Sequence, residues 1–236
     1  MSNPDPVFER LREIEALADV WTSLIRSEQF EPSGEDDVRT MSLIHALTDH
    51  VCVLAKAVDT LWHNDQRTAA LPLTRIALEV ATLAAWVAVA PGAERAVSHE
   101  AQRHRAQAAQ ALHPHVTVPV DENAVDDMWS RVRELDEHYL PGGRKVEDRL
   151  KELSVGSGLY ATYRVFSEFV HPGESLLRKT PMDQIEDASL TLLVISMAMS
   201  IGAWVRRLPD SQTKAEFTQW AAGRNLDAFP EYVPKA

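Results

Sequence analysis

The chain has 236 residues, of which 45% are apolar, and a formal net charge of −11; this length suffices to bury one sizeable core. The acidic balance argues against a general affinity for nucleic acid or for an anionic membrane, since both require a basic surface, and it leaves only a local basic groove for nucleic acid. A single cysteine, Cys52, excludes an intrachain disulfide framework, and an N-terminus without the basic and apolar regions of a signal peptide predicts a cytoplasmic protein.

Apolar residues recur at three- and four-residue spacing along most of the chain, which predicts helices. The predicted long helices cover 5–29, 37–63, 72–89, 93–112, 121–140 and 182–208, and short ones cover 145–153 and 211–223. No segment alternates like a strand between hairpin turns. The sequence therefore predicts an all-α fold, an irregular antiparallel bundle of about six long and two short helices. We expect a single domain over residues 1–236, with its core at 5–208 and a short helix and tail at 209–236.

The helix predicted at 72–89 is apolar nearly all round, which indicates a position at the centre of the bundle. Pro72 fits its first turn, because that turn does not use the N–H that proline lacks. Two segments, residues 71–90 and 189–205, are apolar enough to raise the question of membrane spans. The first contains Arg75 and Glu79, and the second is shorter than the ~20 residues that a span requires. We therefore expect both to be core helices and the membrane not to be a partner.

Arg75 and Glu79 are the unusual feature of that helix. They lie four residues apart, and Thr82 and Trp86 continue the same helical face. A charged pair in an apolar setting persists only when it is well hydrogen-bonded, because desolvation is costly. The pair therefore either fixes the register of the helix or lines a polar pocket, and the residues alone leave both interpretations open.

Residues 159–174 combine a helical pattern with several potentially reactive side chains. One predicted face is apolar and consists of Leu159, Thr162, Val165, Phe166, Phe169 and Val170. The opposite face is polar and consists of Tyr160, Arg164, Ser167 and His171. The following Pro-Gly pair ends the helix, so that its histidine closes the last turn. We expect this helix, with those at 72–89 and 182–208, to form the centre of the bundle.

Arg164 and His171 lie about 20° apart in helical projection and two turns apart along the axis. Their spacing, Arg-x6-His, is similar to the Arg-x4-6-His signature of HEPN-type ribonucleases, helical proteins that cut RNA without a metal. The resemblance implies a ribonuclease that uses both residues, with His171 as acid or base. The chain departs from the pattern in one position, since Val165 replaces the polar residue that usually follows the arginine.

A second pattern joins two helices, namely Arg75-x-x-x-Glu79 with Trp86, followed by Tyr163-Arg-x-Phe-Ser-x-x-Val-His-Pro172. Over about residues 40–208 it resembles a group of bacterial helical domains of unknown function, some of them loosely linked to abortive-infection proteins. The resemblance implies that Arg75, Glu79 and the histidine of the second motif converge on one polar spot inside the bundle. It implies no known reaction.

Our leading hypothesis is a polar site, inside the bundle or at a homodimer interface, that binds a small anionic or carbonyl-bearing ligand through Arg75, Glu79, Tyr163 and His171. Arg75 holds the ligand, Glu79 orients Arg75, and His171 exchanges a hydrogen bond or a proton. The alternatives are the metal-independent ribonuclease and a non-catalytic bundle that binds a protein partner, so the sequence leaves catalysis open. It contains neither a Gly-x-x-x-x-Gly-Lys nor a Gly-x-Gly-x-x-Gly motif, and its histidines lack the complete set of ligands that a metal site needs, so we predict neither a metal nor a cofactor. Cys52, among apolar neighbours, is predicted to be a buried thiol rather than a nucleophile.

Overall fold

A computed structural model describes residues 6–27, 34–112, 122–168 and 182–233. The all-α prediction is confirmed, since within these ranges the chain forms ten α-helices and extended backbone pairs only in an isolated bridge between Leu153 and Tyr232. The helices are α1 (Pro6–Ser27), α2 (Glu35–His63), α3 (Arg67–Val89), α4 (Ala93–Leu112), α5 (Glu122–Glu134), α6 (Pro141–Arg144), α7 (Val146–Lys151), α8 (Gly156–Ser167), α9 (Met182–Arg207) and α10 (Gln212–Gly223).

The centre of the bundle is α3, which packs along α2 and α9. Leu71, Leu78 and Trp86 of α3 are completely buried, as its nearly uniform apolar composition predicts. The central positions predicted for α3 and α9 are thus confirmed. The central position predicted for the helix at 159–171 is wrong, because α8 lies at the periphery and, among its described side chains, only Phe166 is buried. Its place is taken by α2, which packs against both α3 and α9.

α3 begins at Arg67, one turn before the predicted start, so Pro72 lies inside the helix rather than in its first turn. Because proline has no N–H, the helix lacks the hydrogen bond that residue 72 would donate to the carbonyl of Thr68. The additional turn is retained because Ala70 and Leu71 are completely buried. Burying a leucine side chain contributes roughly 1.5–3 kcal/mol, which exceeds the ~1 kcal/mol of one hydrogen bond.

α5 ends at Glu134 rather than near residue 140, and a short 3-10 turn follows at Asp136–His138. The acidic residues at the start of this turn oppose the dipole at a helix C-terminus, which disfavours continuation of α5. Asp136 instead reaches across to α4, where its Oδ1 lies 3.1 Å from Nε2 of the buried His99.

Residues 224–233 pack onto the bundle, whereas the sequence predicts only a tail. Arg206 of α9 donates to the carbonyl oxygens of Phe229 and Pro230 at 2.7 and 3.1 Å. The backbone N–H of Val233 donates to the carbonyl of Glu152 at 2.9 Å. The C-terminal segment is thereby attached both to a central helix and to the residues that follow α7.

Three helices, over Glu35–His63, Arg67–Val89 and Gln184–Arg207, are long and apolar enough to cross a membrane by length and composition alone. In the third helix, 83% of its apolar 18-residue stretch is buried inside the bundle, against 44% and 56% in the other two. Burial in the core therefore accounts best for the apolar composition of α9. A cytoplasmic location and the absence of a membrane partner stay predictions.

Candidate functional site

Arg75 and Glu79 form the ion pair that their spacing predicts. Nη2 of Arg75 donates to Oε1 of Glu79 at 2.7 Å, and only 15% and 27% of the two side chains are exposed. Desolvation of a pair buried to this extent opposes the Coulomb attraction, so the pair requires further hydrogen-bond partners to be stable.

α8 supplies those partners. Oη of Tyr163 accepts a hydrogen bond from Nη2 of Arg75 at 2.8 Å and donates to Oε1 of Glu79 at 2.9 Å. Oγ of Ser167 accepts from Nε of Arg75 at 3.1 Å and donates to the carbonyl of Tyr163 at 2.7 Å. The guanidinium also lies over the Tyr163 ring, 5.0 Å from its centroid. These four side chains therefore form a closed polar network that joins α3 to α8.

The face of α8 that meets the bundle differs from the predicted one. Leu159, Tyr163 and Phe166 pack against the core, whereas Val165, assigned to the apolar face, is 51% exposed. Val165 and Tyr163 project in nearly opposite directions on a helix, so burying Val165 would turn the tyrosine away from Arg75. The bonds to the buried ion pair, rather than the longest apolar stripe, account for the orientation of α8.

α6 and α7 cover the remainder of this face of α3. The indole N–H of Trp86 donates to Oε2 of Glu152 at 2.8 Å, and both residues are buried. Gly142 lies against the same indole, within the one-turn helix α6. Trp86 therefore links the central helix to the segments on both sides of α7.

Arg149 of α7 is the buried cation of the site, with only 6% of its surface exposed. Its Nη1 donates to the carbonyl of Gly142 at 3.0 Å, but its Nε has no hydrogen-bond partner and the side chain forms no ion pair within the described residues. Burial lowers the pKa of Arg149 to about 10, against the opposing influence of Glu79 and Tyr163. At neutral pH the guanidinium is charged and its charge is not neutralised by a contacting carboxylate.

A pocket of about 430 Å³ opens between α7 and α8, beside the polar network. Four of its lining residues are cations, namely Arg144, Lys145, Arg149 and Arg164. None of the four is ion-paired with another residue in the described parts of the chain, although elsewhere exposed arginines such as Arg95 and Arg207 do have carboxylate partners. In a chain of net charge −11 this is a local excess of positive charge.

The two carboxylates of the lining are occupied by cations outside the pocket. Glu79 is paired with Arg75, as described above, and Oε1 of Glu147 lies 2.8 Å from Nζ of Lys151. The hydrogen bond from Lys151 lowers the pKa of the Glu147 carboxyl. Neither carboxylate therefore neutralises the four lining cations through a direct contact.

The structure brings together three of the predicted site residues, Arg75, Glu79 and Tyr163, and places Arg164 nearby, exposed on the pocket rim. His171 lies outside the described residues, so its convergence with this group stays a prediction, as does the ribonuclease that would use it with Arg164. Within the described ranges, no three His, Cys, Asp or Glu side chains are grouped to hold a metal ion.

Sequence reasoning missed the importance of Arg149. The basic pair at Arg144 and Lys145 stands out in the sequence but is typical of a solvated surface. No local signal in the sequence would have found Arg149, because the neighbouring basic residues Arg144, Lys145 and Lys151 look alike in sequence and are exposed.

A family model described as a family of unknown function (DUF5677) matches residues 41–184, more than half of the chain. The matched region contains the polar network and all four cations of the pocket. The predicted resemblance to helical domains of unknown function is thus confirmed in its coarser form, while the likeness to HEPN and abortive-infection proteins stays a prediction. No curated protein and no solved structure matches the chain.

Proposed function

The chain belongs to this family of unknown function, and we propose that its pocket between α7 and α8 binds a small anionic ligand. The observation that carries the proposal is Arg149, a cation that lines a 430 Å³ pocket, is only 6% exposed and contacts no carboxylate of the described residues. A buried charge without a partner costs several kcal/mol in general, and an anion in the pocket would offset that cost.

Arg149 is the primary contact for the ligand in this proposal. A guanidinium presents donors in a rigid fork that matches the two oxygens of a carboxylate or phosphate. Its Nη1 is held by the carbonyl of Gly142, which fixes the orientation of the guanidinium beside the pocket. Both a phosphate and a carboxylate fit this arrangement.

Arg75 has a different role from the one that the sequence suggests. Its Nε and Nη2 already donate to Ser167, Tyr163 and Glu79, so it holds α8 against α3 instead of holding the ligand. In this proposal Arg75 and Glu79 are positioning residues, which place the Tyr163 wall of the pocket opposite Arg149.

Isothermal titration calorimetry with inorganic phosphate tests the proposal. We expect saturable binding to the wild-type protein and a loss of affinity of at least tenfold in Arg149→Met, because a hydrogen bond to a charged group contributes roughly 1.5–3 kcal/mol. Arg105→Met is the matched control, since Arg105 is an exposed arginine of α4 outside the pocket. Absence of binding to the wild type, or equal binding by Arg149→Met, would contradict the proposal.

A further inference from the structure

We infer that the ligand carries two neighbouring anionic groups, as a diphosphate does. One group binds Arg149, and the second binds the exposed cations of the pocket rim, namely Arg144, Lys145 and Arg164. The inference rests on the proposed function, since it specifies the ligand class of the same pocket.

The balance of charge in the pocket favours a ligand with two anionic groups. The lining holds four cations and two carboxylates, but each carboxylate is already paired, Glu79 with Arg75 and Glu147 with Lys151. A ligand with one negative charge would neutralise Arg149 and leave the three exposed cations of the lining without an anion in direct contact. Like charges close together repel, and a second anionic group relieves this repulsion.

The four cations of the pocket also differ in their exposure to solvent. Arg149 is buried, whereas Arg144, Lys145 and Arg164 are exposed. Lys145 immediately precedes α7 and Arg149 lies about one turn further along it, an axial rise of about 6 Å. The pocket therefore presents a buried cation at one position and exposed cations about one helical turn away, with Arg164 of α8 on the opposite wall.

The test compares the affinities of inorganic phosphate and pyrophosphate by titration calorimetry at matched ionic strength and pH, without divalent cations. Because exposed ion pairs are individually weak, we expect the rim to improve the affinity for pyrophosphate about tenfold over phosphate. The double variant Arg144→Gln/Lys145→Gln should remove most of this preference, because it lowers the affinity for pyrophosphate more than the affinity for phosphate. Lys56→Gln/Arg105→Gln, which removes two exposed cations outside the pocket, should retain the preference.

Each remaining outcome overturns the inference, and the outcomes separate it from the proposed function. If phosphate binds through Arg149 and pyrophosphate binds no more tightly, the two-group ligand is wrong and the anion site stands. If neither anion binds, both are wrong. A six-nucleotide single-stranded RNA that binds more tightly than pyrophosphate and competes with it would assign the cations to a nucleic-acid backbone instead.

Discussion

Gly142 lies so close to the indole of Trp86 that a Cβ at residue 142 would approach the ring to 2.7 Å. The contact sets the distance between α6 and the central helix. It also fixes the carbonyl of Gly142, which accepts the hydrogen bond from Arg149. The shape of the pocket therefore depends on a residue that carries no side chain.

Replacing Gly142 with alanine should destabilise the protein by roughly 1–3 kcal/mol, the usual cost of overpacking a core. Urea denaturation measures the change in the free energy of unfolding. Gly158→Ala in α8 is the matched control, because nothing lies within 4 Å of its added Cβ, and alanine there should leave stability unchanged or raise it by up to about 1 kcal/mol. Equal stabilities for the two variants would show that the Trp86 contact has no energetic effect.

Tyr163→Phe should lower the free energy of unfolding by roughly 1–3 kcal/mol, because it removes the hydroxyl that bridges Arg75 and Glu79 in a partly buried site. Chemical denaturation of Tyr163→Phe, Glu79→Gln and the double variant gives the coupling energy directly. We expect it to exceed about 0.5 kcal/mol, as for residues in one hydrogen-bond network.

Strict additivity of the Tyr163 and Glu79 substitutions would mean that the network seen between α3 and α8 does not act as a unit. Tyr139→Phe serves as a control, since Tyr139 is 46% exposed and lies outside the network. Its effect should stay within about 0.5 kcal/mol, as for most surface substitutions.

The helices could largely be predicted because burial of a helix face repeats locally along the sequence. The observed ends of α1, α2, α4 and α9 all lie within two residues of the predicted ones. The ion pair of Arg75 and Glu79 was predictable for the same reason, since both residues occupy adjacent turns of one helix.

The orientation of α8 and the role of Arg149 could not be predicted because both depend on contacts between segments far apart in sequence. Tyr163 reaches Arg75 across 88 residues, and this contact determines which face of α8 is buried. The spacing of Leu159 and Val165 within α8 carries no information about a partner on α3. Similarly, no local pattern distinguishes the enclosed Arg149 from the exposed basic residues that precede it.

Cys52 should react very slowly in the native state, because burial, with a smaller contribution from Asp49, raises its pKa from 9.0 to about 12. The thiolate is the reactive form, and at pH 8 this change lowers its fraction about 1000-fold. Iodoacetamide labelling followed by mass spectrometry should show modification in denaturing urea and almost none under native conditions. Rapid native labelling would contradict the burial of this single cysteine.

The raised pKa of Cys52 also has a consequence for stability. The unfolded thiol ionises from about pH 9 while the native one stays protonated until about pH 12. The contribution of this group is therefore complete below pH 9 and is lost as the pH rises towards 12. Between pH 8 and pH 11, the unfolding free energy of the wild type should therefore decrease relative to that of Cys52→Ala as the pH rises.

Arg149→Met distinguishes a ligand-binding arginine from a structural one. The pKa of Arg149 falls from 12.5 to about 10 on folding, so at neutral pH the buried charge costs stability, and the cost is relieved only as the pH rises from about 10 towards 12.5. Methionine removes the charge at similar volume but leaves the carbonyl of Gly142 without its donor, a loss of about 1 kcal/mol. We therefore expect the variant to be at least as stable as the wild type at pH 7 in urea denaturation without added anions.

Added phosphate should then make the wild type more stable than Arg149→Met. A ligand that binds only the native state stabilises it by about 2.7 kcal/mol at a concentration of 100 Kd. The wild type should gain this stability, and Arg149→Met should not. Loss of about 3–5 kcal/mol by the variant in the absence of anions would indicate a broken buried pair instead. In that case the Arg149 guanidinium would be a structural partner of the acidic groups beside it, and phosphate binding would not be needed to compensate its charge.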